Sequence, residues 1–116
     1  MYNFSVIISV HFAINPKFFE DSIRSVINQS LIPNEIVIIY DGPNCNLFKI
    51  ITNKLKKKFL NIDFKEIENE FNLGPGISRN KGIVASKNEF IAIMDADDYS
   101  VKNRFELNSC FNRSKS

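Results

Sequence analysis

Four short apolar runs, each followed by a stretch with helical periodicity, constrain the fold of this chain most strongly. The runs extend over Phe4 to Val10, Ile36 to Tyr40, Ile62 to Ile67 and Phe90 to Met94. Between them, apolar residues recur every three or four positions, which is typical of amphipathic helices. A last helix is predicted from Val101 towards Phe111. Strands that alternate with helices predict a mostly parallel sheet with right-handed crossovers.

The strength of each apolar run predicts its place in the sheet. Strands that are buried on both faces are almost continuously apolar, so the first, second and fourth runs are expected at the centre. The third run alternates only at Ile62 and Phe64 and is expected at an edge. The predicted order is therefore 3-2-1-4, in an α/β, Rossmann-like sheet with helices on both faces. We expect residues 1–116 to form one domain, because a chain of this length has a core of modest size.

Three carboxylates, Asp95, Asp97 and Asp98, follow the fourth apolar run within four positions. Carboxylates this close repel one another, and a hard divalent cation with oxygen ligands would stabilise their ionised forms. The spacing suggests a metal clamp for a substrate that carries phosphate. A second interpretation stays open, in which these residues form a polar strand end and Asp98 caps the next helix.

Polar groups are also predicted at the ends of the two other central strands. In the order 3-2-1-4 the topological switch point lies between the first and fourth strands, where open α/β sheets bind ligands. Ser9, Asp41 and Asp95 would line this crevice from three strand ends. Together they suit a ribose, a base and a metal ion.

The turn Gly74-Pro75-Gly76 precedes the third predicted helix and has two interpretations. It is either a flexible connection into the helix or a loop whose amides, with Arg79, face a diphosphate. It does not begin a dinucleotide-binding GxGxxG, because Arg79 stands at the third glycine position. The chain also lacks the GxxxxGK[ST] pattern of a P-loop.

Charge, cysteines and the first residues exclude other classes of function. The 15 basic and 13 acidic residues are too balanced to indicate a nucleic-acid partner, and Lys54 to Lys58 is interpreted as a solvated helix face. The first apolar run is too short to span a membrane, so no membrane span is expected. Cys45 and Cys110 are far apart without a nearby histidine, which favours a reducing cytoplasm. A peripheral position at the inner face of the membrane is compatible with this.

The motifs of this chain, in their order, resemble those of the N-terminal half of the inverting, GT-A-fold glycosyltransferases of the family 2 type. Where that family has SVIIP and SVLNQT, a DDGS turn, NxGxxxARNxGI and YIAFLDADD, this chain has the segments SVIIS, SVINQS, IYDGP, NLGPGISRNKGI and FIAIMDADD. The resemblance covers about Phe4 to Val101. It implies a donor-binding half that holds a nucleoside-diphosphate sugar, with a UDP-sugar favoured, through Mn²⁺ or Mg²⁺.

The resemblance also implies a role for each matching residue. Ser9 would lie near the nucleotide, and Asp41 would accept a hydrogen bond from the base. Arg79 would lie near the base and the diphosphate, where its fork of donors suits phosphate oxygens. Asp95 would lie beside the ribose and the metal ion, and Asp97 would coordinate that ion.

The implied reaction is transfer of a sugar to an acceptor hydroxyl with inversion, in the synthesis of a polysaccharide, a lipopolysaccharide or a glycoprotein glycan. The acceptor would be a glycan or a lipid-linked sugar. Family members continue into an acceptor half that usually carries the catalytic base, so the base is unknown here and we expect no transfer by the 116-residue chain alone. A homo-oligomer could form through the surface that is left exposed.

Departures from the family pattern leave alternatives open. Val10, His11 and Phe12 replace the usual residues after the first strand, and Tyr40 replaces the first acid of the DDGS turn. A packing role is favoured for His11 over that of a base. The alternative function is a truncated, non-catalytic remnant that binds only nucleotide. A phospho-receiver domain is disfavoured, because receivers have an acid pair where this chain has Ser9-Val10-His11.

Overall fold

A computed structural model describes residues 3–96 and 111–112 of the chain. Within these ranges the strands form one sheet in the order β3-β2-β1-β4-β5. The strands are β1 (Phe4–Val10), β2 (Glu35–Asp41), β3 (Asp63–Asn69), β4 (Phe90–Asp95) and β5 (Phe111–Asn112), and the helices are α1 (Pro16–Ile27), α2 (Asn46–Lys58) and α3 (Pro75–Ala85). The first four strands are parallel in the order 3-2-1-4, which confirms the predicted fold class.

The two central strands are buried, and most of their side chains on both faces are apolar. Every residue of β2 is buried, and Ser9 is the one residue of β1 that is only half-buried. The edge strand β3 instead alternates between buried and exposed positions. Its position at the edge of the sheet confirms what its weak apolar pattern predicted.

Helices cover both faces of the sheet, as predicted. On one face α1 and α2 pack together, and the rings of Phe19 and Phe48 meet edge to face at 5.2 Å. On the other face α3 packs through Ile83 against a smaller apolar cluster. α1 begins at Pro16, where the Asn15 side chain accepts a hydrogen bond from the Lys17 amide at 2.9 Å. None of the helices in the described ranges is both long and apolar enough to cross a bilayer.

The short strand β5 was not predicted. Phe111 and Asn112 pair antiparallel with Ile91 and Phe90. The predicted last helix lies outside the described residues except at Phe111, where the prediction is wrong. A short segment can pair through its backbone with the edge of β4 that faces away from β1 whatever its apolar periodicity, so this pairing has no signal in the apolar pattern.

Gly82 allows α3 to lie close to the sheet. A Cβ atom on this residue would lie 2.5 Å from Ile7 Cγ2 and 2.8 Å from Ile39 Cδ1. Both isoleucines are fully buried, so they have little room to move. The close approach of α3 to the sheet therefore depends on the absence of a side chain at Gly82.

We expect Gly82→Ala to lower the free energy of unfolding by about 1 to 3 kcal/mol, since overpacking outweighs the better helix propensity of alanine. Gly76→Ala is the matched control, because a Cβ there would meet no atom within 4 Å. This control should be neutral or stabilise by up to about 1 kcal/mol. Urea unfolding of both variants tests the difference, and a Gly82→Ala chain as stable as the control would contradict it.

Candidate functional site

Three of the predicted site residues lie at the carboxyl edge of the sheet. Ser9 near the end of β1 pairs in register with Asp95, the last residue of β4. Asp41 ends β2, the strand on the other side of β1. The side chain of Asp95 is 56% exposed, whereas Asp41 is only 2% exposed. The structure therefore places Ser9 beside an accessible carboxylate and buries the carboxylate of Asp41.

The side chain of Arg79 reaches this edge of the sheet from helix α3. It lies in the second turn of α3, and its Nη2 donates to Asp95 Oδ1 at 2.5 Å. Both side chains are more than one third exposed, so water screens the ion pair and the pair adds little to stability. Because the ion pair is weak, the guanidinium of Arg79 can bind an anionic group of a ligand in place of Asp95. The carboxylate of Asp95 can likewise bind a cation in place of Arg79.

The carboxylate of Asp41 holds the loop before α3. Oδ1 accepts from the Leu73 amide at 2.7 Å and from Asn69 Nδ2 at 3.1 Å, and Oδ2 accepts from the Gly74 amide at 3.0 Å. Burial by itself raises the pKa of Asp41 and is the largest single influence. The hydrogen bonds from Leu73, Asn69, Gly74 and Ser78 together outweigh burial and hold the pKa below its usual value.

This lowered pKa has a consequence for stability in acid. The stabilisation by ionised Asp41 is complete above the unfolded-state pKa of about 3.9 and is lost as the pH falls through the folded pKa. We expect the free energy of unfolding to fall less in Asp41→Asn than in the wild type between pH 5 and pH 3, values chosen to bracket about 3.9. Urea unfolding at several pH values measures this difference, and parallel curves would contradict the expectation.

The loop that Asp41 holds leaves open space at the start of α3. Gly74 has φ of 92° and precedes the helix, and no acidic residue occupies the first turn. A Cβ atom at Gly74 or Gly76 would meet nothing within 4 Å. The positive end of the helix dipole therefore faces accessible space, an arrangement that suits an anion.

Three further residues of this region, Asn69, Ser78 and Lys81, were not predicted from the sequence. Asn69 Nδ2 also donates to Ser78 Oγ at 3.0 Å, and Asn69 Oδ1 accepts from Lys81 Nζ at 2.8 Å. One signal could have found Asn69. It ends β3, next to Asp41 in register, so its place at the carboxyl edge follows from the predicted topology.

Of the two predicted metal ligands, Asp95 and Asp97, Asp95 lies in the described part of the chain. Asp97 and Asp98 lie outside the described residues, and residues 3–96 contain no group of three or more His, Cys, Asp or Glu side chains that could hold a metal ion. The oxygen of Asp95 is the type of ligand that Mg²⁺ and Mn²⁺ prefer, and it is accessible. The predicted metal site of Asp95 and Asp97 stays a prediction.

His11 lies in the loop that follows β1. Its Nδ1 accepts from the Ala13 amide at 3.3 Å, and its ring meets that of Phe12 edge to face. These contacts give the histidine a local role in the turn.

Comparison with known proteins identifies the family. The family model described as Glycosyl transferase family 2 matches residues 5–107. An uncharacterized glycosyltransferase of Methanocaldococcus jannaschii, MJ1057, is 38% identical over 90 residues, which is 78% of this chain and 30% of that protein. The UDP-Gal:alpha-D-GlcNAc-diphosphoundecaprenol beta-1,3-galactosyltransferase of Escherichia coli is 28% identical over 103 residues, which is 89% of this chain and 36% of the enzyme.

A solved structure agrees with these sequence matches. The crystal structure of S. aureus TarS residues 1–349 in complex with UDP-GlcNAc has a TM-score of 0.66 and 26% identity, over 91% of this chain and 29% of that one. The chain thus spans about one third of the length of these relatives. With the confirmed strand order and a family match over most of its length, this chain belongs to glycosyl transferase family 2.

Proposed function

We propose that the chain is the donor-binding half of an inverting hexosyltransferase that uses a UDP-sugar. The observation that carries the proposal is the pairing of Arg79 with Asp95, next to Ser9, at the carboxyl edge of the sheet. A cation and an accessible carboxylate at a topological switch point suit a ligand that brings both a diphosphate and a metal ion. Two relatives support the choice of uridine, since one is a UDP-Gal transferase and the structure of the other, TarS, is a complex with UDP-GlcNAc.

In this proposal each side chain contacts a different part of the donor. Arg79 leaves Asp95 and donates to the diphosphate, which also faces the start of α3. Ser9 and Asp95 contact the ribose. Asp41, which holds the loop before α3 through the Leu73 and Gly74 amides, accepts a hydrogen bond from the base.

A divalent ion, Mn²⁺ or Mg²⁺, would be held by Asp95 and Asp97 and would neutralise charge on the leaving diphosphate. Asp95 fits this task because its carboxylate is accessible and its ion pair with Arg79 is exposed to water. Arg79 adds a second positive charge at the same edge. The two cations would share the negative charge that grows as the donor bond breaks.

The reaction that we propose for the whole protein is a direct displacement. An acceptor hydroxyl, on a glycan or a lipid-linked sugar, attacks the anomeric carbon opposite the diphosphate. The new glycosidic bond forms as the bond to the diphosphate breaks, and the hydroxyl proton passes to a general base of the whole protein. The product would extend a polysaccharide, a lipopolysaccharide or a glycoprotein glycan.

Calorimetric titration tests donor binding. The chain is titrated with uridine, guanosine and thymidine diphosphates, each in manganese and in chelator. We expect uridine diphosphate to bind most tightly, and only in manganese. Equal affinity in chelator and in manganese would contradict a role for the metal ion. Equal affinity for the three nucleotides would contradict the preference for uridine. Absence of binding to all three would contradict the proposed function.

A further inference from the structure

The side chain of Asn69 connects two strand ends to the start of α3. Asn69 is the last residue of β3 and is 4% exposed. Its Nδ2 donates to Asp41 at 3.1 Å and to Ser78 at 3.0 Å, and its Oδ1 accepts from Lys81 at 2.8 Å. A side-chain amide has two N–H donors and one carbonyl acceptor, so each hydrogen-bonding group of Asn69 has a partner.

Few apolar contacts hold the first turns of α3. The buried residues of this helix are Ser78 and Gly82, while Ile77 is 51% exposed. Gly82 determines how close the middle of the helix lies to Ile7 and Ile39. The hydrogen bond between Ser78 and Asn69 is therefore a main constraint on where the helix begins.

Arg79 follows Ser78 directly in the chain. Its guanidinium meets Asp95, two strands away from β2. A helix is rigid over one turn, so a shift or rotation at Ser78 moves the Arg79 side chain with it. The same amide also donates to Asp41, which holds the amides of Leu73 and Gly74. One buried side chain thus constrains both the loop and the arginine.

We propose that Asn69 is a positioning residue, which directs Arg79 towards Asp95 and the donor diphosphate by holding the start of α3 on the ends of β2 and β3. The part that concerns the diphosphate rests on the proposed function. Asn69 does not touch the donor in this proposal, and it acts through Ser78, Asp41 and Arg79.

Amide hydrogen exchange measured by NMR on the ligand-free chain is the first test. Asn69→Asp keeps the shape of the side chain and the acceptor for Lys81, but it removes both donors and places a carboxylate against Asp41. We expect the Leu73 and Gly74 amides to exchange at least about tenfold faster, the effect of one lost hydrogen bond to a charged group. The Ile38 amide in the buried strand β2 should be unchanged.

Asn53→Asp is the matched control for this variant. It makes the same chemical change at an exposed position of α2, on the opposite face of the sheet. It should leave the exchange of Leu73 and Gly74 as in the wild type. Unchanged exchange of these two amides in Asn69→Asp would overturn the proposal.

A double-mutant cycle on uridine diphosphate affinity in manganese is the second test. Asn69→Asp, Arg79→Lys and the double variant are titrated at a temperature where all are folded. If Asn69 acts through Arg79, the double variant should bind within about twofold of Arg79→Lys, because effects that share one route do not add. Additive losses would overturn the route through Arg79, even where the exchange of the loop amides has changed.

The two tests separate the inference from the proposed function. If the wild type binds no nucleoside diphosphate, the proposed function fails and the exchange measurement alone decides whether Asn69 holds the loop. If the wild type binds uridine diphosphate and Asn69→Asp keeps both its affinity and its loop protection, the inference fails and the proposed function stands.

Discussion

Replacing Asp95 by asparagine is expected to weaken the manganese-dependent binding of uridine diphosphate by at least about 100-fold. Loss of a group that only orients a metal ligand typically costs about 10- to 100-fold in metal affinity, and a direct ligand should cost no less than the upper end. Asparagine keeps the shape of the side chain and removes its charge. Because the carboxylate is more than half exposed, the change should leave the fold intact.

The loss of the ion pair with Arg79 gives Asp95→Asn a second measurable effect, on binding in chelator. Without the Asp95 carboxylate the guanidinium loses its ion-pair partner, so it is available to the diphosphate in the absence of metal. Binding in chelator should therefore be unchanged or stronger, while binding in manganese falls. Replacement of Asp97 by alanine should abolish the manganese-dependent part as well and should leave Arg79 paired.

Asp63→Asn is the matched control for Asp95→Asn. Asp63 is an exposed acid that pairs with Lys87 at 3.2 Å, and it begins β3 at the opposite edge of the sheet. The control removes the same charge from a similar ion pair and should not change nucleotide affinity. Calorimetry in manganese and in chelator measures all three variants, and wild-type affinity of Asp95→Asn in manganese would exclude Asp95 as a metal ligand.

The positions of the strands could be predicted because the burial of a strand determines which residue types it contains. A strand between two neighbours, with helices on both faces, has to be apolar at every position, as Ile36 to Tyr40 is. The register then places Ser9 beside Asp95 without further information, because parallel strands end at the same edge. The fold class and the location of the candidate site at this edge follow from these two facts.

The direction of the polar side chains could not be predicted in the same way. Asp41 bonds to the loop before α3, and its partners Leu73 and Gly74 contribute backbone amides, which any residue type would offer. The pairing of Arg79 with Asp95 depends on how α3 is placed, and that placement depends on Asn69 and Gly82. β5 pairs with β4 through backbone groups, which requires no side-chain pattern that the sequence could show.

The opposite edge of the sheet carries a second buried polar network, centred on Glu35. This residue is fully buried at the start of β2, and its Oε1 accepts from Ser5 Oγ at 2.6 Å and from the Lys87 amide at 3.0 Å. Its Oε2 has no hydrogen-bond donor among the described residues, but it lies 3.1 Å from Lys65 Nζ. Glu35 therefore joins β1, β3 and the loop after α3 to the central strand β2.

Glu35→Ala is expected to lower the free energy of unfolding by about 3 kcal/mol. The change leaves the Ser5 hydroxyl and the Lys87 amide without their acceptor and removes the partner of Lys65, and breaking a buried ion pair typically costs about 3 to 5 kcal/mol. Because Lys65 is 38% exposed and can be solvated, the lower end applies. A domain of this size should then melt about 10 °C lower or more.

The size of this effect is tested against two other substitutions by urea and thermal unfolding. Glu35→Gln keeps an acceptor for Ser5 and Lys87, so it should lose only about 1 kcal/mol. Glu68→Ala removes an acid that is 66% exposed and is paired with Lys49 on the surface, which should cost at most about 1 kcal/mol. Equal losses in Glu35→Ala and Glu68→Ala would show that burial of Glu35 contributes nothing.

Glu35 lies at the edge of the sheet away from Asp95, so the folded Glu35→Ala chain should bind uridine diphosphate as the wild type does. Weaker binding at a temperature where the variant is fully folded would contradict the expectation that Glu35 affects stability and not the candidate site.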